Sequence, residues 1–316
     1  MKNSLLKHHS RRLVAVCCLI LAVVVGCTEG RSWLHEIPRK LELAPTLSIG
    51  TRSRPLELLP PILVEEHVPV VEVSPQPQTM VEKLRCLEGN WLEVGRSVAN
   101  RPLEAMLIGR GVNRVLFIGG IHGDEPEGLA ITEWFTEELR ANSELTQQVT
   151  VLIVRNLNPD GTSSGRRMNQ NGVDLNRNFP AKNWDPVVKT ARFNPGKKPM
   201  SEPETQVAVQ IIHEFKPVRV LVMHATTGRP MNNYDGPGKA LAQSLSRFNK
   251  YMVSDSIGYP TPGSLGSWVG NDLDTPIITL ELPRKISPEN AWNANKLALI
   301  EMLKFEEAQP GERELP

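Results

Sequence analysis

Along most of its length this chain alternates between two kinds of segment. Four short runs rich in β-branched residues, NRVLFIGG (113–120), QQVTVLIV (147–154), VRVLVMHA (218–225) and TPIITLELP (275–283), are separated by stretches with helical periodicity. Each run is mostly apolar rather than alternating, the pattern of a strand buried on both faces. The helical stretches are PEGLAITEWFTEELRAN (126–142), SEPETQVAVQIIHEF (201–215), GKALAQSLSRFNKYM (238–252) and ENAWNANKLALIEMLKF (289–305). Pro126 suits a first helical turn, and Ser201 with Glu204 three residues on has the spacing of a capping box. The alternation predicts an α/β domain: a mixed, mostly parallel central sheet with helices on both faces.

The ends of the chain read differently. Lys2, Lys7, Arg11 and Arg12 precede the apolar run LVAVCCLILAVVV (13–25), which matches a signal h-region and is too short to span a bilayer. The run closes in VVGC, ending at Cys27, which resembles a lipoprotein lipobox with Cys27 as the acylated residue. An ordinary signal peptide with a chance cysteine is the alternative, and SRR (10–12) hints at twin-arginine export. Either route takes the protein out of the cytoplasm, and the lipobox anchors it to a bacterial membrane. Residues 27–80 are dense in proline and read as an extended tether. Part of it, PILVEEHVPVVEV (61–73), could instead pack as a strand. The boundaries are then a leader at 1–26, a tether at 27–80, a single catalytic domain at 81–308 and a tail at 309–316.

The formal charge of +1 over 316 residues hides a division, because the leader holds four bases and no acids. The remainder carries 32 basic and 35 acidic residues, which gives no electrostatic case for nucleic-acid binding. Cys17 and Cys18 fall in the leader and Cys27 at its end, so only Cys86 remains and no disulfide framework arises. Oligomeric state is not legible.

Chemistry concentrates where the apolar runs stop. VLFI (115–118) breaks into GGIHGDEPEG (119–128), which sets His122 three residues before Glu125 at a strand end. An imidazole and a carboxylate at that spacing suit zinc. His224 closes the third run, a distant residue of the kind that completes a catalytic zinc set. The loop NPDGTSSGRRMNQNGVDLNRNFP (158–180) is dense with Arg166, Arg167, Asp174, Asn176 and Arg177. Glu281 is a lone carboxylate inside an apolar strand, where burial can lift it into the range of a general base. His213, on a helical stretch, reads as a surface or packing residue.

Taken in order, GGIHGDEPEG, NPDG, GVDLNRNFP, SEPET, YPTPGSLGSW and ITLELP resemble zinc metallocarboxypeptidases of the M14 type. Within these they are most similar to murein peptide amidases, which cut the γ-D-glutamyl–diaminopimelate bond of cell-wall peptides. The resemblance spans roughly residues 88–305. It implies one zinc ion per chain held by His122, Glu125 and His224, with Glu281 as the catalytic glutamate. It implies that Arg167, rather than its neighbour Arg166, stabilises the oxyanion, and that Asn176 and Arg177 grip the substrate's terminal carboxylate. Asp174 would orient the first zinc histidine, and Tyr259 would close over substrate. Gly266 falls where peptide-cutting relatives choose the terminal side chain, and a glycine supplies no charge there.

The implied function is zinc-dependent hydrolysis of an amide next to a carboxylate-bearing terminal residue in a peptidoglycan-derived peptide. A general metallocarboxypeptidase acting on L-peptides is one alternative, and a non-catalytic wall-peptide-binding lipoprotein is another. Glu281 separates the last, since a pure binder needs no carboxylate at the metal. Desuccinylase-type hydrolases share an H-x-x-E opening but not the DLNRN segment.

Overall fold

The computed structural model describes residues 79–306 except 189. The leader, Cys27, the proline-rich segment up to residue 78 and the 309–316 tail lie outside the described residues. The elements in chain order are α1 (Met80–Cys86), β1 (Leu92–Arg96), β2 (Pro102–Ile108), β3 (Asn113–Ile118), α2 (Glu127–Ala141), β4 (Val149–Val154) and α3 (Pro159–Ser164). They continue with α4 (Pro203–Phe215), β5 (Arg219–Thr226), β6 (Met231–Asp235), α5 (Lys239–Asn249), β7 (Met252–Ser254), β8 (Ile277–Pro283) and α6 (Pro288–Lys304).

The strands form one sheet in the order β1-β2-β4-β3-β5-β8-β6-β7. The four apolar runs are its centre, and β4, β3, β5 and β8 are mutually parallel. Antiparallel pairings join β1 to β2, β2 to β4 and β6 to β8. The sheet is therefore mixed, with a parallel core, as the alternation predicts. Because both faces of these strands are covered, successive side chains enter different cores. Val115 and Phe117 pack with Phe135, Leu241 and Leu299 below α2, α5 and α6. Leu116 and Ile118 pack with Leu84, Ile212 and Phe215 below α1 and α4. Among the described residues no helix is long and apolar enough to cross a membrane.

Two sequence expectations are corrected, and four strands carry no signal in the sequence pattern. The outer strands β1, β2 and β6 carry Glu, Gly, Pro or Asn, and β7 is only three residues long, so they do not read as buried runs. Ser201 does not cap α4: Glu202 holds the N-cap position and makes no side-chain cap bond. The serine hydroxyl instead donates to Glu202 and accepts from Asn178. The helix predicted to reach Met252 stops at Asn249, where Lys250 turns left-handed (φ 60°) and releases the chain into β7.

Candidate active site

From β3 the chain crosses to β4 on one side, then returns to β5 on the other. Ligands collect outside the carboxyl ends of strands at such a reversal. His122 and Glu125 occupy the turn after β3, and His224 lies near the end of β5. Glu281 is the register partner of His224 on β8. The turn after β3 depends on two glycines. Gly120 has φ +62°, and a Cβ on Gly123 would fall 1.9 Å from the carbonyl carbon of Gly161. That contact seats the His122 turn against α3, whose start is capped by Asn158 accepting from the Gly161 N–H at 2.9 Å.

His122, Glu125 and His224 are buried, and one ligand atom from each lies within 4.8 Å of the others. His122 Nδ1 is 3.1 Å from Glu125 Oε1, and His224 Nδ1 is 3.0 Å from Oε2. These spacings approach the roughly 3.4 Å edge of a tetrahedron with zinc bonds about 2.1 Å long. On the far side of its ring, His122 Nε2 lies 3.0 Å from Asp174 Oδ1. A proton held there leaves Nδ1 with a lone pair facing the other donors, the arrangement a metal-binding histidine needs. Nitrogen and oxygen donors in this number and geometry fit a catalytic zinc ion.

Burial pushes the Glu125 carboxyl up, but the facing imidazoles outweigh it and hold the group well below the usual carboxylate range. Burial likewise opposes the charged forms of Asp174 and His122. The His122 imidazole and the Arg167 guanidinium keep Asp174 low, while Glu125 and Asp174 keep His122 above its ordinary value.

The loop after α3 places its residues on one carboxylate. Arg167 donates to Asp174 Oδ2 from Nε at 3.0 Å and from Nη2 at 2.9 Å. Asp174 Oδ1 also accepts from the Asn176 N–H at 3.0 Å. The third arginine nitrogen, Nη1, reaches 3.1 Å from His122 Nδ1 and 3.3 Å from Glu125 Oε1. Arg167 is thus fixed at the edge of the ligand set, whereas Arg166 is exposed and bonds to Ser164 and Gln170. Arg177 is buried and donates to the Asn176 carbonyl at 2.6 Å. Asn176 accepts from the Leu265 N–H at 2.9 Å.

His122, Glu125, Arg167, Asn176, Arg177 and His224 line one cavity of about 340 Å³, together with Glu281 and Tyr259. Burial raises the Glu281 pKa, and the neighbouring Glu125 charge adds to the rise, while His224 opposes it. Tyr259 is 44% exposed, and its ring lies 5.6 Å from that of Phe193. Phe193 also carries the guanidinium of Arg167 at 5.5 Å and that of Arg177 at 5.1 Å. Phe193, Asp235 and Arg284 reach this cavity without any signal in the sequence pattern, since each lies in a short polar stretch or just past a strand. Arg284, three residues after Glu281, ties its guanidinium to Asp124 and comes within 3.6 Å of Glu125. His213 is exposed and packs edge-on to Trp268, as expected of a surface helix residue.

A family model described as zinc carboxypeptidase matches residues 90–289. Over 202 residues the chain is 36% identical to murein peptide amidase A of Escherichia coli (strain K12), covering 60% of this chain and 79% of that protein. The crystal structure of murein-tripeptide amidase from Escherichia coli O157 superposes with a TM-score of 0.56 at 32% identity, covering 70% of this chain and 94% of that one. Bovine thrombin-activatable fibrinolysis inhibitor shares the fold with a TM-score of 0.59 at 18% identity, over 68% of this chain and 89% of its own.

Proposed function

The chain belongs to the zinc carboxypeptidase family, and on that footing we propose that it hydrolyses the amide preceding a terminal residue with a free carboxylate, in peptides derived from the bacterial cell wall. Likeness to murein peptide amidases supports the γ-D-glutamyl–diaminopimelate bond as the one cut. The observation that carries the reading is the placement of Glu281. The β5–β8 register sets it beside His224, at one cavity with His122, Glu125, Arg167 and Arg177.

Zinc held by His122, Glu125 and His224 supplies Lewis acidity to the scissile carbonyl and to water. The chain's own residues do the rest. Arg177 and Asn176 hold the substrate's terminal carboxylate, the guanidinium presenting two parallel N–H donors. Arg167, clamped by Asp174, directs Nη1 toward the position where negative charge develops on the carbonyl oxygen. Glu281 accepts a proton from the attacking water as its oxygen bonds to the carbonyl carbon. It then passes that proton to the departing amine nitrogen as the C–N bond breaks. Tyr259, exposed at the mouth, closes over bound substrate.

The purified protein is expected to release diaminopimelate from L-Ala-γ-D-Glu-diaminopimelate, to stop when zinc is chelated and to resume when zinc is restored. Absence of chelator-sensitive release overturns the substrate assignment.

The basic opening, the apolar run and VVGC support export with a lipid on Cys27. Labelled palmitate should be incorporated by the full chain in a bacterial host and not by Cys27→Ala, which should move to the soluble fraction. A full chain that takes up no label defeats this localisation.

A further inference from the structure

Phe193 ends a short 3₁₀ turn (Ala191–Phe193), and its half-buried side chain lines the central cavity. The chain that follows the ring is tied down. The Asn194 carbonyl accepts from the Asp174 N–H at 2.8 Å, and the Asn194 side chain donates to the Gly172 carbonyl at 2.8 Å. The Pro195 carbonyl accepts from the Asn178 side chain at 2.7 Å. Phe193 is thus fastened to the same 158–180 segment that carries Arg167 and Arg177.

The two guanidiniums that meet this ring are held differently. Arg167 gives two nitrogens to Asp174. Arg177 forms no ion pair among the described residues, and it bonds to the Asn176 carbonyl and to the Tyr259 side chain. Burial lowers its pKa and the Arg167 cation adds to the fall, while Asp174 opposes it. An arginine that must take an incoming carboxylate cannot be secured by a resident one, which would occupy its donors. An aromatic face avoids that conflict. It attracts the cation through the ring quadrupole and takes none of the in-plane N–H donors. The Arg177 and Arg167 guanidiniums lie over the Phe193 ring, 5.1 Å and 5.5 Å from its centre, within the range of this attraction.

We infer that Phe193 is a positioning residue, whose ring holds the Arg177 guanidinium charged and open for the substrate's terminal carboxylate and steadies Arg167 beside it. The Tyr259 ring leans on the same ring, 5.6 Å away and tilted by 34°. One aromatic side chain therefore gathers both arginines and the tyrosine at the mouth. This inference rests on the proposed peptidase reading and adds to it a residue that touches no reacting atom.

The test replaces Phe193 in the full chain with mono-, di- and trifluorinated phenylalanine. Each fluorine draws electron density from the ring face and barely changes its size, so the fold is kept. On L-Ala-γ-D-Glu-diaminopimelate, kcat/KM is expected to fall stepwise along the series, by about 10-fold in total. The loss should lie mainly in KM, because Arg177 has no carboxylate to fall back on while Arg167 keeps its clamp on Asp174. Phe193→Leu, which has no π-face, should lose at least as much as the trifluorinated variant. A flat fluorine series overturns the inference even where Phe193→Leu is impaired, since the ring then serves packing alone. A loss confined to kcat overturns it as well. In both cases the wild type still cuts the peptide, and the peptidase reading stands. A wild type that cuts no such peptide removes that reading and the inference with it.

Discussion

His224 and Glu281 are register partners on the adjacent parallel strands β5 and β8. Neighbouring strands lie about 4.8 Å apart, so the backbone ladder itself fixes the separation between an imidazole of the metal-binding cluster and the carboxylate proposed to move the proton. Both side chains are carried by the parallel core of the sheet, where a site is held more precisely than on loops. The residues proposed to grip substrate come instead from the long 158–180 segment, and Asp174 ties that segment to the His122, Glu125 and His224 cluster through His122 and Arg167.

Glu281→Gln should therefore separate binding from turnover. The amide preserves shape and removes the proton acceptor, so kcat is expected to fall by about 10²–10⁴-fold. Zinc content by elemental analysis should stay at one ion per chain, since Glu281 lies outside the ligand set. Turnover within a few-fold of wild type would show that another group takes the proton.

Asp174→Asn should act at two places. The native carboxylate serves His122 and the Asn176 N–H through one oxygen and two Arg167 nitrogens through the other. An amide keeps one acceptor and turns a donor toward the rest. Zinc affinity, measured by competition with a chelating dye, should drop by about 10–100-fold. At saturating zinc, kcat should remain depressed because Arg167 is no longer clamped. Full recovery with added zinc would confine the residue to orienting His122.

Much of this site is legible in the chain before folding, for a physical reason. His122, Glu125, His224 and Glu281 each interrupt or terminate an apolar run, and polar groups at such places stand out against the strand pattern. Asp235 and Phe193 do not. One ends the polar strand MNNYD and the other lies in a segment with no period, so their places at the cavity arise from tertiary packing alone. Ser201 shows the converse failure. Its spacing to Glu204 matches a cap, but in the fold Glu204 turns inward to accept from the Val98 N–H and from Asn169.

That inward turn makes Glu204 a pH-dependent element of stability. Burial raises its pKa, and hydrogen bonds only partly offset the rise. The folded state therefore keeps this proton to a higher pH than the unfolded chain does. Between the two values the native form binds more protons, so its contribution to stability falls as pH rises through them and is constant above. Glu204→Gln keeps an oxygen for the Val98 N–H and has no charge to bury. Urea unfolding from about pH 4 to 7 should show a downward slope for wild type that is weaker in the variant. Parallel curves would mean that the buried carboxyl is fully compensated.

Gly128→Ala tests how tightly the metal ligands depend on helix packing. In an exposed helix this change gains about 1 kcal/mol. Here the new Cβ on α2 would lie 2.7 Å from the Met223 Cβ, the base of a side chain that cannot swing away. Overpacking of this kind costs about 1–3 kcal/mol, which outweighs the propensity gain. The expected outcome is a Tm lower by a few degrees, since about 1 kcal/mol corresponds to about 2–4 °C at this domain size. Met223 precedes His224 on β5, and Glu125 lies two residues before α2, so moving the helix off the strand also parts two metal ligands. Zinc should therefore raise the Tm of the variant less than it raises that of wild type. An increased Tm in the metal-free variant would show that α2 accommodates the methyl group, and that the close approach of helix and strand is not what holds Glu125 against His224.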